Sequence, residues 1–333
     1  MFTINDNQCS RSQEYPHGKN HSYAGTFGCH ILQFELLRSD GSRWICSLDS
    51  NLELFEATIG GLGLTGIILW AEIQLQPLSS PYFEVETRPF QGLQAFYALM
   101  QQMEDTAGYS VAWLDCLAKG RQFARGLLMT ANPCVTDSAP QEVPRTKRLP
   151  CHLPASAVNR YSMSVFNTFY YHRHARKQHQ IMPYQQYFFP LDSILEWNKV
   201  YGKHGFLQYQ CVLPWGSEHY LEAMLADITA SGLGSCLSVL KTFGTRRSPG
   251  LLSFPMPGVT LALDFPNRPC VFTLLDRLDA TVIRAGGRVY CAKDARMSAT
   301  AFQCYYPQLT TFSRWVDPKL SSSFWQRVTS GVF

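Results

Sequence analysis

The sequence predicts an α+β fold built as two domains. From Ile31 to Ser47 two strand-like runs flank Arg38-Ser39-Asp40-Gly41-Ser42, where Asp40-Gly41 supplies hairpin turn chemistry. Further along, strand-patterned and helix-patterned runs alternate, as in an antiparallel sheet flanked by helices. Pro77 to Pro81 reads as a boundary in a chain of 333 residues, a length that suits about two domains. The first domain is expected over residues 1–78 and the second over 79–315, with 316–333 as a terminal segment.

After an irregular start, Leu48 to Gly60 reads as a short helix capped by Asp49 or Ser50, with Leu52, Phe55 and Ile59 on one face. Gly61-Leu62-Gly63-Leu64-Thr65-Gly66 leads into a strand from Ile67 to Leu75. The second part opens with a strand from Tyr82 to Thr87 and a helix from Phe90 to Glu104. Strands follow at Tyr109 to Cys116 and Gly126 to Thr130, then a long loop over residues 132–160. Leu191 to Tyr201 reads as helical, Phe206 to Leu213 as a strand and Ser217 to Ser231 as a helix. Cys236 to Phe243 and Val259 to Phe265 are strands, and Cys270 to Ala285 is a helix stopped by Gly286-Gly287. Arg288 to Ala292 closes the strands, before helices from Ala295 and from Leu309.

Lys plus Arg is 29 and Asp plus Glu 25, so the net charge is 29 − 25 = +4, too weak and too spread for a nucleic-acid protein. It leaves room for anionic substrates or peripheral contact with anionic lipid. The 11 cysteines are irregularly spaced without a CxxC, which excludes zinc-ribbon and thioredoxin-type motifs and fits reduced thiols. No run reaches the roughly 18 apolar residues of a membrane helix, and Met1 to Ser12 lacks a signal-peptide core. The expected location is the cytoplasm, peripheral to the membrane at most.

Several motifs carry candidate chemistry. Gly61-x-Gly63-x-x-Gly66 has dinucleotide-fingerprint spacing, but a helix precedes it and a strand follows, the reverse of the dinucleotide-binding order. It is either a tight turn or a turn whose backbone lies against a ligand. His17-Gly18-Lys19-Asn20-His21 groups imidazoles, an ammonium and an amide that can bond a ligand, or forms a surface loop. Lys293, between a strand and a helix, can project into a cleft and hold a substrate oxygen, or can pair with Asp294. Gln208 and Gln210 share one strand face and Lys241 and Phe243 another; buried amides there need partners, which a polar pocket supplies. Tyr170 to His179 is a cationic, aromatic-flanked stretch, read as a solvated loop or as a lid that meets a phosphate or a membrane surface.

Taken in order, HGKNH with AGTFG, ELFEATIGGLGLTGII, SVAWLD, EWNKVYG with GFLQYQ, LSFPMPG with DFP, and GGRVYCAKD resemble the decaprenylphosphoryl-ribose oxidase family, FAD-linked oxidases of the vanillyl-alcohol oxidase type. The resemblance runs from about His17 to the C-terminus. It implies that residues 1–78 are the C-terminal part of a PCMH-type FAD-binding domain, that 79–315 form a substrate domain on an antiparallel sheet, and that 316–333 return to the FAD domain. It further implies hydride transfer from an alcohol carbon of a sugar or polyprenyl-phosphate sugar to the flavin, with a separate nicotinamide-dependent reductase as partner. By motif position His17, Gly18, Lys19, Asn20, Gly63, Ile68 and Tyr290 fall at flavin-contact positions. Lys293 and His17 fall at catalytic ones, Lys293 positioning the substrate oxygen. Gln208, Gln210, Lys241, Phe243, Thr260 and Phe188 fall at substrate positions. Three residues depart from the family pattern: Ala262 replaces a pocket cysteine, Thr260 an asparagine and Phe188 a tyrosine. The family's glycine-rich phosphate-binding loop would precede residue 1, so the alternative expectation is a truncated, non-catalytic fragment or ligand-binding module.

Overall fold

A computed structural model describes residues 24–103, 108–135, 146–154, 156–235, 237–294 and 296–331. The fold is α+β. Its first unit is a small antiparallel sheet in the order β2-β1-β3, formed by β1 (Ile31–Leu37), β2 (Arg43–Ser47) and β3 (Ile67–Ile73). Helix α1 (Leu52–Thr58) lies on one face, where Phe34, Leu36, Cys46, Leu54 and Phe55 make a small core. Phe34 and Phe55 stack with ring centroids 5.3 Å apart. The helix starts later than the sequence pattern suggested. Asn51 sits in the left-handed region at φ 50°, so Asp49 and Ser50 precede the turn that opens the helix and cannot cap it.

The second unit is an eight-stranded sheet, antiparallel throughout, in the order β13-β10-β12-β11-β5-β6-β4-β8. In chain order its strands are β4 (Tyr82–Gln91), β5 (Tyr109–Leu114), β6 (Arg125–Pro133), β8 (His179–Pro183), β10 (Phe206–Pro214), β11 (Ser238–Phe243), β12 (Gly258–Pro266) and β13 (Arg288–Val289). The two-residue segments β7 (Lys147–Arg148) and β9 (Ile194–Leu195) pair with each other in parallel. The helices are α2 (Leu93–Met103), α3 (Arg160–Ala175), α4 (Tyr184–Phe188), α5 (Glu218–Ser231), α6 (Pro269–Arg284), α7 (Ala299–Tyr305), α8 (Leu309–Ser313) and α9 (Ser323–Thr329).

Period-two alternation gives the large sheet two different faces. Phe90, Tyr209, Cys211, Leu240, Leu261 and Leu263 lie on one side, within the main core, where Phe96 of α2 meets Phe90 and Tyr209 donates a hydrogen bond to Asp279 of α6. The opposite side carries α3 over β5 and β6, with Tyr170 against Trp113 at 4.8 Å. A buried network fastens α3: Arg125 donates to Asp115 and Thr168, Asn167 donates to Asp115, and the Arg125 guanidinium lies 4.9 Å from the Tyr171 ring.

The two units meet along residues 246–254 and 315–317. Thr26 donates to Ser248, the Leu251 amide donates to the Glu56 carbonyl, and Arg246 donates to the carbonyls of Ala24 and Cys29. Asp317 accepts from the Ser39 amide, lies 3.8 Å from Arg38, and donates its own amide to the Leu64 carbonyl. Helix α9 instead packs back on α7, with Phe324 edge-on to Phe302.

Three expectations from the sequence are corrected. Leu191 to Tyr201 is two 3-10 turns, Pro190–Ser193 and Trp197–Tyr201, separated by β9, because Glu196 adopts φ 58° and interrupts any continuous helix. The Tyr170 to His179 stretch is the end of α3 followed by an edge strand rather than a loop. Arg288 to Ala292 is strand only to Val289, after which Cys291–Lys293 forms a 3-10 turn. Among the described residues no helix is long and apolar enough to cross a membrane, and no cluster of metal-binding side chains occurs.

Candidate functional site

The face of β10, β12 and β11 opposite Tyr209, Leu261 and Leu240 assembles one polar strip. Strand register places Gln208 opposite Asp264, Gln210 opposite Ala262, and Thr260 opposite Lys241, so all of these side chains emerge on the same side. Gln208 donates to Asp264 Oδ1 at 3.0 Å and Gln210 to Thr260 Oγ1 at 3.2 Å. The Gln210 side chain, Thr260 and Asp264 are almost wholly buried, and Lys241 is only 7% exposed. The Lys241 ammonium lies 4.7 Å from the Phe243 ring centroid, a cation–π contact that offsets part of its desolvation.

An aromatic wall borders the strip. Phe243 meets Phe254 at 6.0 Å, Phe254 meets Tyr290 at 4.7 Å, and the Tyr290 amide donates to the Gln210 carbonyl. Because Leu251 and Ser248, just before Phe254, are hydrogen-bonded to the first unit, this wall stands at the seam between the two units. The turn after Tyr290 carries Lys293. Asp294 accepts from the amides of Arg296 and Met297 and pairs with Arg327, so its carboxylate is engaged away from Lys293.

Lys293 acts instead on Asp264. Burial pushes the Asp264 carboxyl up to about 6, against the opposing pull of the Gln208 hydrogen bond and the Lys293 charge. Its Oδ2 atom is buried and has no hydrogen-bond partner among the described residues. Such an orphaned acceptor is costly in a closed protein core and is expected where a ligand completes the site. Asp264 was not singled out from the sequence, although it stands in the DFP motif at period-two spacing from Thr260 and Ala262.

The sequence-derived candidates are therefore distributed unevenly. Gln208, Gln210, Lys241, Phe243, Thr260, Tyr290 and Lys293 come together in and around the strip. Phe188 packs with Phe83, Tyr109 and Tyr187 near the β4–β8 edge, in a separate aromatic cluster. Gly63 and Ile68 belong to the first unit, Gly63 at φ 72° and Ile68 against its small core. Two glycines beside Gly63 are explained by internal packing: a Cβ at Gly61 would lie 2.2 Å from the Ala57 carbonyl oxygen, and one at Gly66 would lie 2.7 Å from that of Leu37. His17, Gly18, Lys19 and Asn20 lie outside the described residues.

The antiparallel sheet thus carries a lysine, a buried carboxyl and paired amides on one strip, next to a smaller α+β unit. No protein-family model matches the chain. It is 34% identical over 319 residues to decaprenylphosphoryl-β-D-ribose oxidase of Mycolicibacterium smegmatis, which covers 91% of this chain and 68% of that protein. It is also 31% identical over 314 residues to an uncharacterised protein of Streptomyces coelicolor, covering 89% of this chain and 84% of that protein. The chain belongs to the decaprenylphosphoryl-β-D-ribose oxidase family.

Proposed function

We propose that this protein is an FAD-linked oxidoreductase that oxidises an alcohol carbon of a lipid-linked sugar. The observation that supports it most is the strip itself, where a buried carboxyl with an unpartnered oxygen lies within the electrostatic reach of Lys293, in a chain related to an oxidase of such a sugar. The donor set suits the task. An alcohol oxygen needs a donor and an acceptor, and a reduced flavin ring carries negative charge that a nearby ammonium stabilises.

In this reading residues 1–78 are the C-terminal part of a PCMH-type FAD-binding domain and 79–315 the substrate domain; of 316–333, Asp317 returns to the first unit while α9 stays on the second. His17, Gly18, Lys19, Asn20, Gly63, Ile68 and Tyr290 would hold FAD, whose chemistry when bound would be that of a hydride acceptor for the alcohol carbon. Lys293 holds the substrate oxygen, and His17 orients the substrate or the flavin. Asp264, attracted to Lys293 and anchored by Gln208, fixes where that ammonium points. Gln208, Gln210 and Thr260 fit sugar hydroxyls, and Lys241 is positioned for an anionic group such as the phosphate of a polyprenyl-phosphate sugar. Phe188 remains a substrate contact only if an apolar tail extends toward its aromatic cluster. A nicotinamide-dependent reductase is the natural consumer of the keto product, and contact with a membrane surface the natural way to reach such a substrate.

The test is turnover of a polyprenyl-phosphate pentose by the purified chain supplied with FAD and a dye acceptor. Lys293→Ala should abolish it without altering the fold. Full turnover in that variant removes the assignment.

A further inference from the structure

We propose that the outward side of α3 is a docking surface for an anionic lipid bilayer. Met163, Asn167, Tyr170 and His174 recur at helical spacing and turn toward the sheet. The opposite side therefore faces solvent, and it is apolar: Tyr161 is 75% exposed, Val165 71% and Phe169 63%, with Phe166 beside them at 44%. His172 and Arg176 continue that stripe, so its C-terminal end is basic.

Charge selects the occupant. From Val143 to Leu191 the sequence contains no Asp or Glu and seven Lys or Arg, although the whole chain is nearly balanced at 29 against 25. Arg160 marks one end of the exposed stripe, and Arg173, Arg176 and Lys177 mark the other. A protein partner would cover the apolar stripe without needing basic residues at both of its ends. A helix that lies in an anionic lipid interface needs both features.

The location gives the surface a use. Tyr170 of α3 packs on Trp113, which is paired with Val239, two residues before Lys241 on the same sheet face. A bilayer on the outer side of α3 then lies about one helix diameter, roughly 10 Å, from the edge of the polar strip. That service to a lipid-linked substrate rests on the oxidase reading; the docking itself does not.

Co-sedimentation of the purified chain with phosphatidylcholine vesicles, with and without phosphatidylglycerol, tests the proposal. Binding is expected only with phosphatidylglycerol and should weaken as salt is raised. Val165→Glu with Phe169→Glu should lower it by at least about tenfold. Arg173→Gln, Arg176→Gln and Lys177→Gln should lower it by about fivefold per charge removed. These positions are exposed, and unchanged thermal melts confirm the fold; Val165→Ser with Phe169→Ser replaces the glutamates if it suffers. Absence of binding, equal binding to neutral vesicles, or binding that survives the substitutions overturns the proposal. Self-association lost in the same variants, without vesicle binding, reassigns the face to a second copy and also overturns it. Flavin absorbance of the same samples reads the oxidase assignment separately, so the two can fail independently.

Discussion

Replacing Asp264 by asparagine should flatten a defined part of the pH dependence of stability. The folded carboxyl titrates at about 6 and the unfolded one near its ordinary 3.8, because burial disfavours the charge more than Gln208 and Lys293 favour it. Between those two values the folded state holds a proton that the unfolded state has released. Stability therefore falls as pH rises from about 4 to about 6 and is level above that, the cost reaching about 3 kcal/mol at roughly 1.4 kcal/mol per unit. The substituted amide stays neutral and keeps an oxygen for Gln208. Urea unfolding of both proteins across this range supplies the assay. The variant should match the parent near pH 4 and exceed it by about 3 kcal/mol near pH 7. Two parallel curves would refute the claim that Asp264 is a desolvated carboxyl.

Lys293→Ala removes the charge that opposes this burial, so the upper end of the same pH window should move above 6, read from the same unfolding series. Arg125→Ala should cost about 3–5 kcal/mol, since it strands buried Asp115 and frees α3 from the sheet; an unchanged melt would contradict the buried network. Gly61→Ala should destabilise by about 1–3 kcal/mol, because its Cβ collides with the carbonyl of Ala57; a neutral effect would show that the turn yields.

What the sequence revealed followed the range of the interactions that decide each feature. Strands β10 and β12 were legible because alternation is local, and so was the shared face of Gln208 and Gln210. Helix α3 was hidden because apolar residues occupy both its sides, Met163 inward and Val165 and Phe169 outward, which blurs the single stripe a helix usually shows. Its start was marked, with Asn159 accepting from the Ser162 amide while Ser162 answers in return, but serine is a weak signal at that position. Asp264 could not be read as a candidate, since its burial depends on Ser235 and Gln208, which are remote in sequence. The break at Glu196 depends on a left-handed backbone that no residue type there announces. The family motifs singled out Lys293 and Tyr290, but what brings them beside the strip is a long-range pairing, β10 with β13, which local patterning does not specify.

The most direct measurement is a titration of the purified chain with FAD, followed by the visible absorption of the flavin and by its bleaching on addition of a polyprenyl-phosphate pentose. The account predicts a perturbed, saturable flavin spectrum in the parent, bleached by the sugar, and a spectrum that binds but does not bleach in Lys293→Ala. A chain that leaves the FAD spectrum unchanged at every concentration would contradict it.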